Sequence, residues 1–108
     1  MPSYLIQLSY APPTIAALVR KPTNRSEVIS TLVAKLGGKL VGSWMSFGDY
    51  DLVLVIDDAN NVSAAACSMA VSASGGFTKF KTTPLLSMEE SVAAMKQASS
   101  LGYTPPSA

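Results

Sequence analysis

Three adjacent side chains, Asp49, Tyr50 and Asp51, are the place where this chain has the means to handle a proton. A carboxylate and a phenol can pass a proton between them when both are desolvated. Spacing decides which pairs can cooperate. In an extended segment neighbours point to opposite faces, so Tyr50 and Asp51 do not share a pocket, whereas Asp49 and Asp51 face the same side and could act as an acid–base pair. The same three residues also suit a structural part, with Asp49 in a turn, Tyr50 as a packed ring and Asp51 accepting backbone N–H bonds. Stronger catalytic sets are missing. The chain has no histidine and one cysteine, Cys67, which removes Ser-His-Asp and Cys-His arrangements and the usual zinc sites.

Other residues could line a ligand site. Tyr4 and Tyr10 could turn hydroxyls into a pocket between sheet and helices, or sit at the core edge with those hydroxyls satisfied. Trp44 could line a cavity or a seam between subunits. Lys79 and Lys81, two apart on a strand, share a face and could hold an anion, although paired lysines more often mark a solvated or edge face. Cys67 lies among alanines with no cation beside it and reads as a small buried residue. Met69, Met88 and Met95 read as core fillers. An N-terminal proline amine could serve as a base, but Met1 precedes Pro2. Asp57-Asp58 with Asn60 lacks calcium-loop spacing and reads as a helix cap. The expectation is no metal and no cofactor.

These residues need elements to hold them. Ser3 to Tyr10 reads as a strand that Pro12-Pro13 ends. Thr14 could cap a short apolar turn, Ile15 to Val19. Asn24 with Glu27 resembles a capping box for a helix whose apolar stripe is Val28, Ile29, Leu32, Val33 and Leu36, stopped by Gly37-Gly38. Lys39 to Ser46 and the run Leu52 to Ile56 form an antiparallel hairpin across Gly48-Asp49. An Ala- and Ser-rich helix, Val62 to about Ser74, ends at Gly75-Gly76. A fourth strand, Phe77 to Leu86, follows. Ser87-Met88-Glu89-Glu90 then caps a trailing helix with Met88, Val92 and Met95 on one stripe. The order β-α-β-β-α-β plus a helix is an α+β, ferredoxin-like arrangement. Residues 1–100 form one domain and 101–108, with Pro105-Pro106, a tail.

Composition bounds the function. The chain has 108 residues, 48% hydrophobic, with a formal net charge of +1, enough for one modest core. Near-neutral charge and scattered basic residues predict no nucleic-acid partner. No apolar run approaches the ~20 residues that span a bilayer. No signal-peptide pattern opens the chain, so the expectation is a cytoplasmic protein without a membrane partner.

One stretch sets the assembly. Between Leu52 and Ile56 no position is polar, so both faces of that strand are apolar. Helices in this fold dry only one sheet face. The bare face would exceed the few hundred Å² of apolar surface usual on a monomer, and two sheets packed about 10 Å apart remove it. A homodimer through sheet faces is therefore expected.

The chain resembles the GYD domain family. The likeness runs through Pro2-Ser3-Tyr4, Leu36-Gly37-Gly38-Lys39, Gly48-Asp49-Tyr50-Asp51, Asp58-Ala59 with the Ala-rich helix, Thr82-Thr83 and Ser87-Met88-Glu89-Glu90, over roughly residues 2–95. Lys81, Pro84 and Pro12-Pro13 depart from the family pattern. The resemblance implies a ferredoxin-like protomer in a dimeric α/β barrel and does not imply a reaction. The resulting expectation is a small homodimeric ligand-binding or accessory module. The alternatives are a cofactor-independent isomerase, lyase or monooxygenase on a small hydrophobic metabolite, and a building block of a larger homo-oligomer.

Overall fold

Strand alternation organises the fold. In the computed structural model, which describes residues 2–107, the elements are β1 (Ser3–Tyr10), α1 (Pro12–Arg20), α2 (Ser26–Lys35), β2 (Lys39–Met45), β3 (Leu52–Asp57), α3 (Asn61–Ala73), β4 (Phe77–Leu85) and α4 (Met88–Ser100). The four strands form one sheet in the order β2-β3-β1-β4, and every neighbouring pair is antiparallel. This is the ferredoxin-like α+β topology expected from the sequence, with a helix appended.

Directly paired residues lie on the same face of a sheet. Tyr4, Ile6 and Leu8 pair with Ile56, Leu54 and Leu52, and all six are buried. Val33 of α2 and Ala64 and Cys67 of α3 are buried over them. α2 packs beside β2 and α3 beside β4. The small side chains of α3 let it approach the sheet closely, and Cys67 is a buried free thiol whose pKa burial raises.

The opposite face belongs to Leu5, Gln7, Val53 and Val55, with Lys81 and Thr83 from β4 and Trp44 from β2 paired to them. α2 and α3 pack beside β2 and β4, and β3 alternates buried and half-buried along its whole length. Trp44 is 56% exposed. A Cβ added to Gly42 would meet its indole at 2.6 Å, so the benzo edge of the ring reaches over Gly42, and a larger residue there would displace it.

Several local expectations are corrected. Pro12-Pro13 do not merely end β1. They open a nine-residue helix, with Pro at its first positions, because proline lacks an N–H that the first turn would leave unpaired anyway and its φ already suits a helix. Asn24 and Glu27 form no capping box. Arg25 occupies the cap position, and Asn24 Oδ1 instead accepts from the Ser26 N–H at 2.9 Å and the Ser26 hydroxyl at 2.6 Å. Met69, Met88 and Met95 are not core fillers, being 71%, 84% and 66% exposed. Their helices either turn that side outward or, for α4, touch the domain too little to bury anything.

Other local signals hold. Gly37 ends α2 at φ +79° while the Gly37 and Gly38 N–H groups close on the Ala34 and Val33 carbonyls, a left-handed stop that glycine adopts without strain. Asn60 caps α3 by accepting from the Ser63 N–H at 2.8 Å. Ser87 and Glu90 form a complete capping box on α4, and the backbone N–H bond from Ser87 holds the Glu90 carboxyl below its usual pKa.

Candidate functional site

The first group of sequence candidates forms a clasp. After β2, residues Ser46–Asp51 turn back towards β3. The Ser46 N–H donates to the Asp51 carbonyl at 2.8 Å, and the Ser46 hydroxyl donates to the Tyr50 carbonyl at 2.6 Å. The Asp51 N–H donates to the Leu8 carbonyl at 2.8 Å, and Asp51 Oδ2 accepts from the Tyr10 N–H at 2.9 Å. The Ser9 hydroxyl donates to the Asp49 carbonyl at 3.0 Å. The segment thus stitches the hairpin to the end of β1, where a register shift between Ser9 and Tyr10 frees backbone groups. Asp51 serves here as a backbone acceptor.

Removing that carboxylate leaves the Tyr10 N–H without its charged acceptor. Asp51→Ala is expected to cost about 1.5–3 kcal/mol, the usual range for a hydrogen bond to a charged group. Asp51→Asn keeps a carbonyl oxygen and is expected to recover part of it. Urea denaturation of the two variants measures the difference.

Asp49 and Tyr50 line a shallow depression of about 380 Å³ with Gln7, Phe47, Val53 and Lys81, on the open sheet face. Lys79 Nζ stands 5.8 Å from the Tyr50 ring centroid, within cation–π range. Asp51 does not line this depression, so the structure does not bring Asp49 and Asp51 into a common pocket. Lys79, Lys81 and Tyr50 do come together, at the edge of the face that carries Trp44. Tyr4 stands apart. It is buried in the core, and its hydroxyl donates to Asn61 Oδ1 at 2.6 Å.

A larger cleft lies elsewhere, between α1, the start of α2 and the ends of β2 and β3. It has a volume of about 530 Å³, with Ile15, Leu18, Val19, Pro22, Ile29, Met45 and Leu52 as apolar walls, Trp44 at its rim from the edge strand β2, and Tyr10, Thr23, Asn24, Arg25, Ser26 and Ser43 as its polar groups. A second hollow of about 440 Å³ adjoins it under α1 and shares Tyr10, Leu18, Arg25, Ile29 and Leu52. A third, about 120 Å³ and mostly apolar, runs into the core past Ile6, Leu8 and Phe80 and again shares Arg25, Ile29 and Leu52. The three meet at one place. The Tyr10 ring stacks on Phe77 with centroids 5.1 Å apart, which fixes it at the cleft wall. Burial raises the Tyr10 pKa, the Arg25 guanidinium works against that rise, and the Asp51 carboxylate adds to it.

That shift has a measurable sign. A phenol whose pKa is raised by folding keeps its proton where the unfolded chain has lost it. Stability tied to Tyr10 is therefore present below the ordinary value of 10.0 and falls as pH rises through the folded value. Spectrophotometric titration is expected to show one tyrosine ionising above that value, and Tyr10→Phe is expected to remove that inflection.

The pattern describing the GYD domain matches residues 4–95, most of the chain. The protein belongs to the GYD domain family. No curated protein matches it. A solved chain described as the crystal structure of FFRP-DM1 is similar to it over 80% of this chain and 100% of that one, at 14% identity and a TM-score of 0.52; at that identity the likeness speaks for the fold.

In this GYD protein the signature Gly48-Asp49-Tyr50-Asp51 is a turn and clasp, and the 530 Å³ cleft opens at the α1–α2 connection instead. Of the sequence candidates Tyr10 and Trp44 line the cleft, while Arg25, Thr23 and the α1 wall were missed. The available signal was the Pro22-Thr23-Asn24-Arg25 segment, too short for an element and bounded by two helices, which had to pass close to the sheet end. Among the described residues no group of three His, Cys, Asp or Glu side chains is placed to hold a metal, and no helix is long and apolar enough to cross a membrane.

Proposed function

We propose that this GYD protein is a small homo-oligomeric binding module that holds an amphipathic small molecule between α1, α2 and the sheet. The observation that carries the reading is the convergence of three hollows on Arg25, Ile29 and Leu52. Pockets of several hundred Å³ with apolar walls and a few polar groups are the usual form of small-molecule sites. The ligand's apolar body lies along Ile15, Leu18, Ile29 and Leu52. Its polar end, an anionic or carbonyl group, meets Arg25 and the Tyr10 hydroxyl. Arginine is always protonated, and a phenol with a raised pKa remains a donor at neutral pH, so both groups offer hydrogens and neither serves as a base. This favours binding over proton abstraction.

Two further parts complete the proposal. The open sheet faces of two copies pair to form the dimeric barrel, because the exposed Trp44 and the half-buried Leu5, Val53 and Val55 otherwise stay wet. The free thiol of Cys67 suits a reducing cytoplasm.

Native mass spectrometry of the purified protein tests ligand and subunit number together. The expected result is a dimer carrying a non-covalent small-molecule adduct that Arg25→Ala reduces and Val55→Asp does not, once corrected for subunit number. A chain that carries no adduct, and whose melting temperature no fatty or aromatic carboxylate raises, would overturn the binding role.

A further inference from the structure

We infer that α4 is an intermolecular arm whose stripe of Met88, Val92 and Met95 docks on a second copy of this chain. The inference rests on the reading that the open sheet faces pair, and it extends that contact. α4 is built to form early and locally. Ser87 Oγ accepts from the Glu90 N–H at 3.0 Å, and Glu90 Oε1 accepts from the Ser87 N–H at 2.9 Å. Yet a helix of 13 residues is marginal in water without packing, and none of its residues is buried. Its apolar positions fall at i, i+4 and i+7, one continuous stripe. They are 84%, 49% and 66% exposed, while Glu89, Glu90 and Gln97 occupy the other side.

The size of the uncovered surface points to a partner. The chain exposes 7671 Å², where a folded monomer of 11.3 kDa is expected to expose about 5,700 Å². The excess, about 1,900 Å², is larger than the ~800 Å² per partner of a standard interface. The radius of gyration is 17.5 Å with extents of 58 × 36 × 22 Å, against about 13 Å for a compact domain of this length.

Position selects the partner as a second copy. The helix side of the sheet is already occupied by α2 and α3. α4 leaves from the end of β4, where Leu85 pairs with Ser3 on the open face, so the helix starts at the border of that face. The helix reaches about 20 Å beyond the strand end at 1.5 Å per residue, far enough to lie against a copy stacked on the open face. A net charge of +1 sets up little repulsion between identical chains.

The test uses the full chain. Benzoylphenylalanine placed at position 95 is expected to cross-link between copies, seen as a covalent dimer. The triple variant Met88→Glu/Val92→Glu/Met95→Glu is expected to weaken the dimer about a hundredfold or more in sedimentation, with its near-ultraviolet circular dichroism unchanged because α4 contributes nothing to the core. Cross-links confined within one chain, together with a triple variant that dimerises like the native protein while Val55→Asp does not, would overturn the arm and leave sheet pairing standing. A native chain that sediments as a monomer at micromolar concentration would overturn both.

Discussion

Val55→Asp is expected to turn a two-copy assembly into single subunits while each subunit keeps its fold. Val55 sits on β3, an inner strand, where it pairs with Leu5 on one side and Gly42 on the other, near the middle of the open face. Within one protomer it is only half buried, so a carboxylate there remains hydrated in the isolated subunit. In the paired form the same carboxylate would lose water beside Leu5 and Val53, at a cost of several kcal/mol. The dissociation constant is therefore expected to rise by about a thousandfold. Analytical ultracentrifugation over a concentration series measures this, with far-ultraviolet circular dichroism as the control. A variant that associates like the native chain would show that this face does not carry the contact.

One residue further along, the outcome reverses. Ile56→Ala is expected to lower the unfolding free energy of the protomer by about 2–5 kcal/mol, the usual cost of emptying a core site of that size. Ile56 is 1% exposed and lies in the cluster formed by Tyr4, Ile6, Leu54, Val33 and Ala64. Denaturation under conditions where Val55→Asp is monomeric isolates the protomer term, so the change is best measured in that background. The two substitutions test the same strand from its two sides. If Ile56→Ala altered association while leaving protomer stability unchanged, the assignment of faces would be inverted, and with it the place of the cleft.

The cleft and the open face divide the labour of the sheet. In the proposed function Tyr10 and Leu52 would present the helix side to a ligand, Val53 and Val55 would present the other side to a partner, and Trp44, on the edge strand, borders both. The clasp at Asp51 ties these together, because its carboxylate holds the Tyr10 N–H and its carbonyl holds the returning end of β2. A weakened clasp is therefore expected to disturb the cleft wall and the stability at once, whereas Arg25→Ala affects binding alone.

Much of the protomer was legible in the sequence because its signals are local. Gly37 stops a helix since a left-handed residue there costs glycine little. Ser87 and Glu90 start another because their side chains replace missing backbone partners within three residues. The run Leu52 to Ile56 declares a strand with two apolar faces whatever surrounds it. The order of these elements leaves few topologies, and the ferredoxin-like one is realised. Pro12-Pro13 misled for a local reason as well, since the same missing N–H that ends a ladder is harmless in the first turn of a helix.

What the sequence alone determined is therefore the set of elements, their order and the presence of apolar surface that one helical layer does not cover. Only the tertiary structure decided where the side chains meet. Arg25, remote from Tyr10 and Leu52 along the chain, becomes their neighbour because the α1–α2 connection passes over the sheet end. Asp51 becomes a backbone acceptor because β1 shifts register beside it. The Met88, Val92 and Met95 stripe is equally apolar whether it packs at home or abroad. Periodicity reports which side of a helix avoids water, and only the path of the chain after β4 fixes what lies against that side.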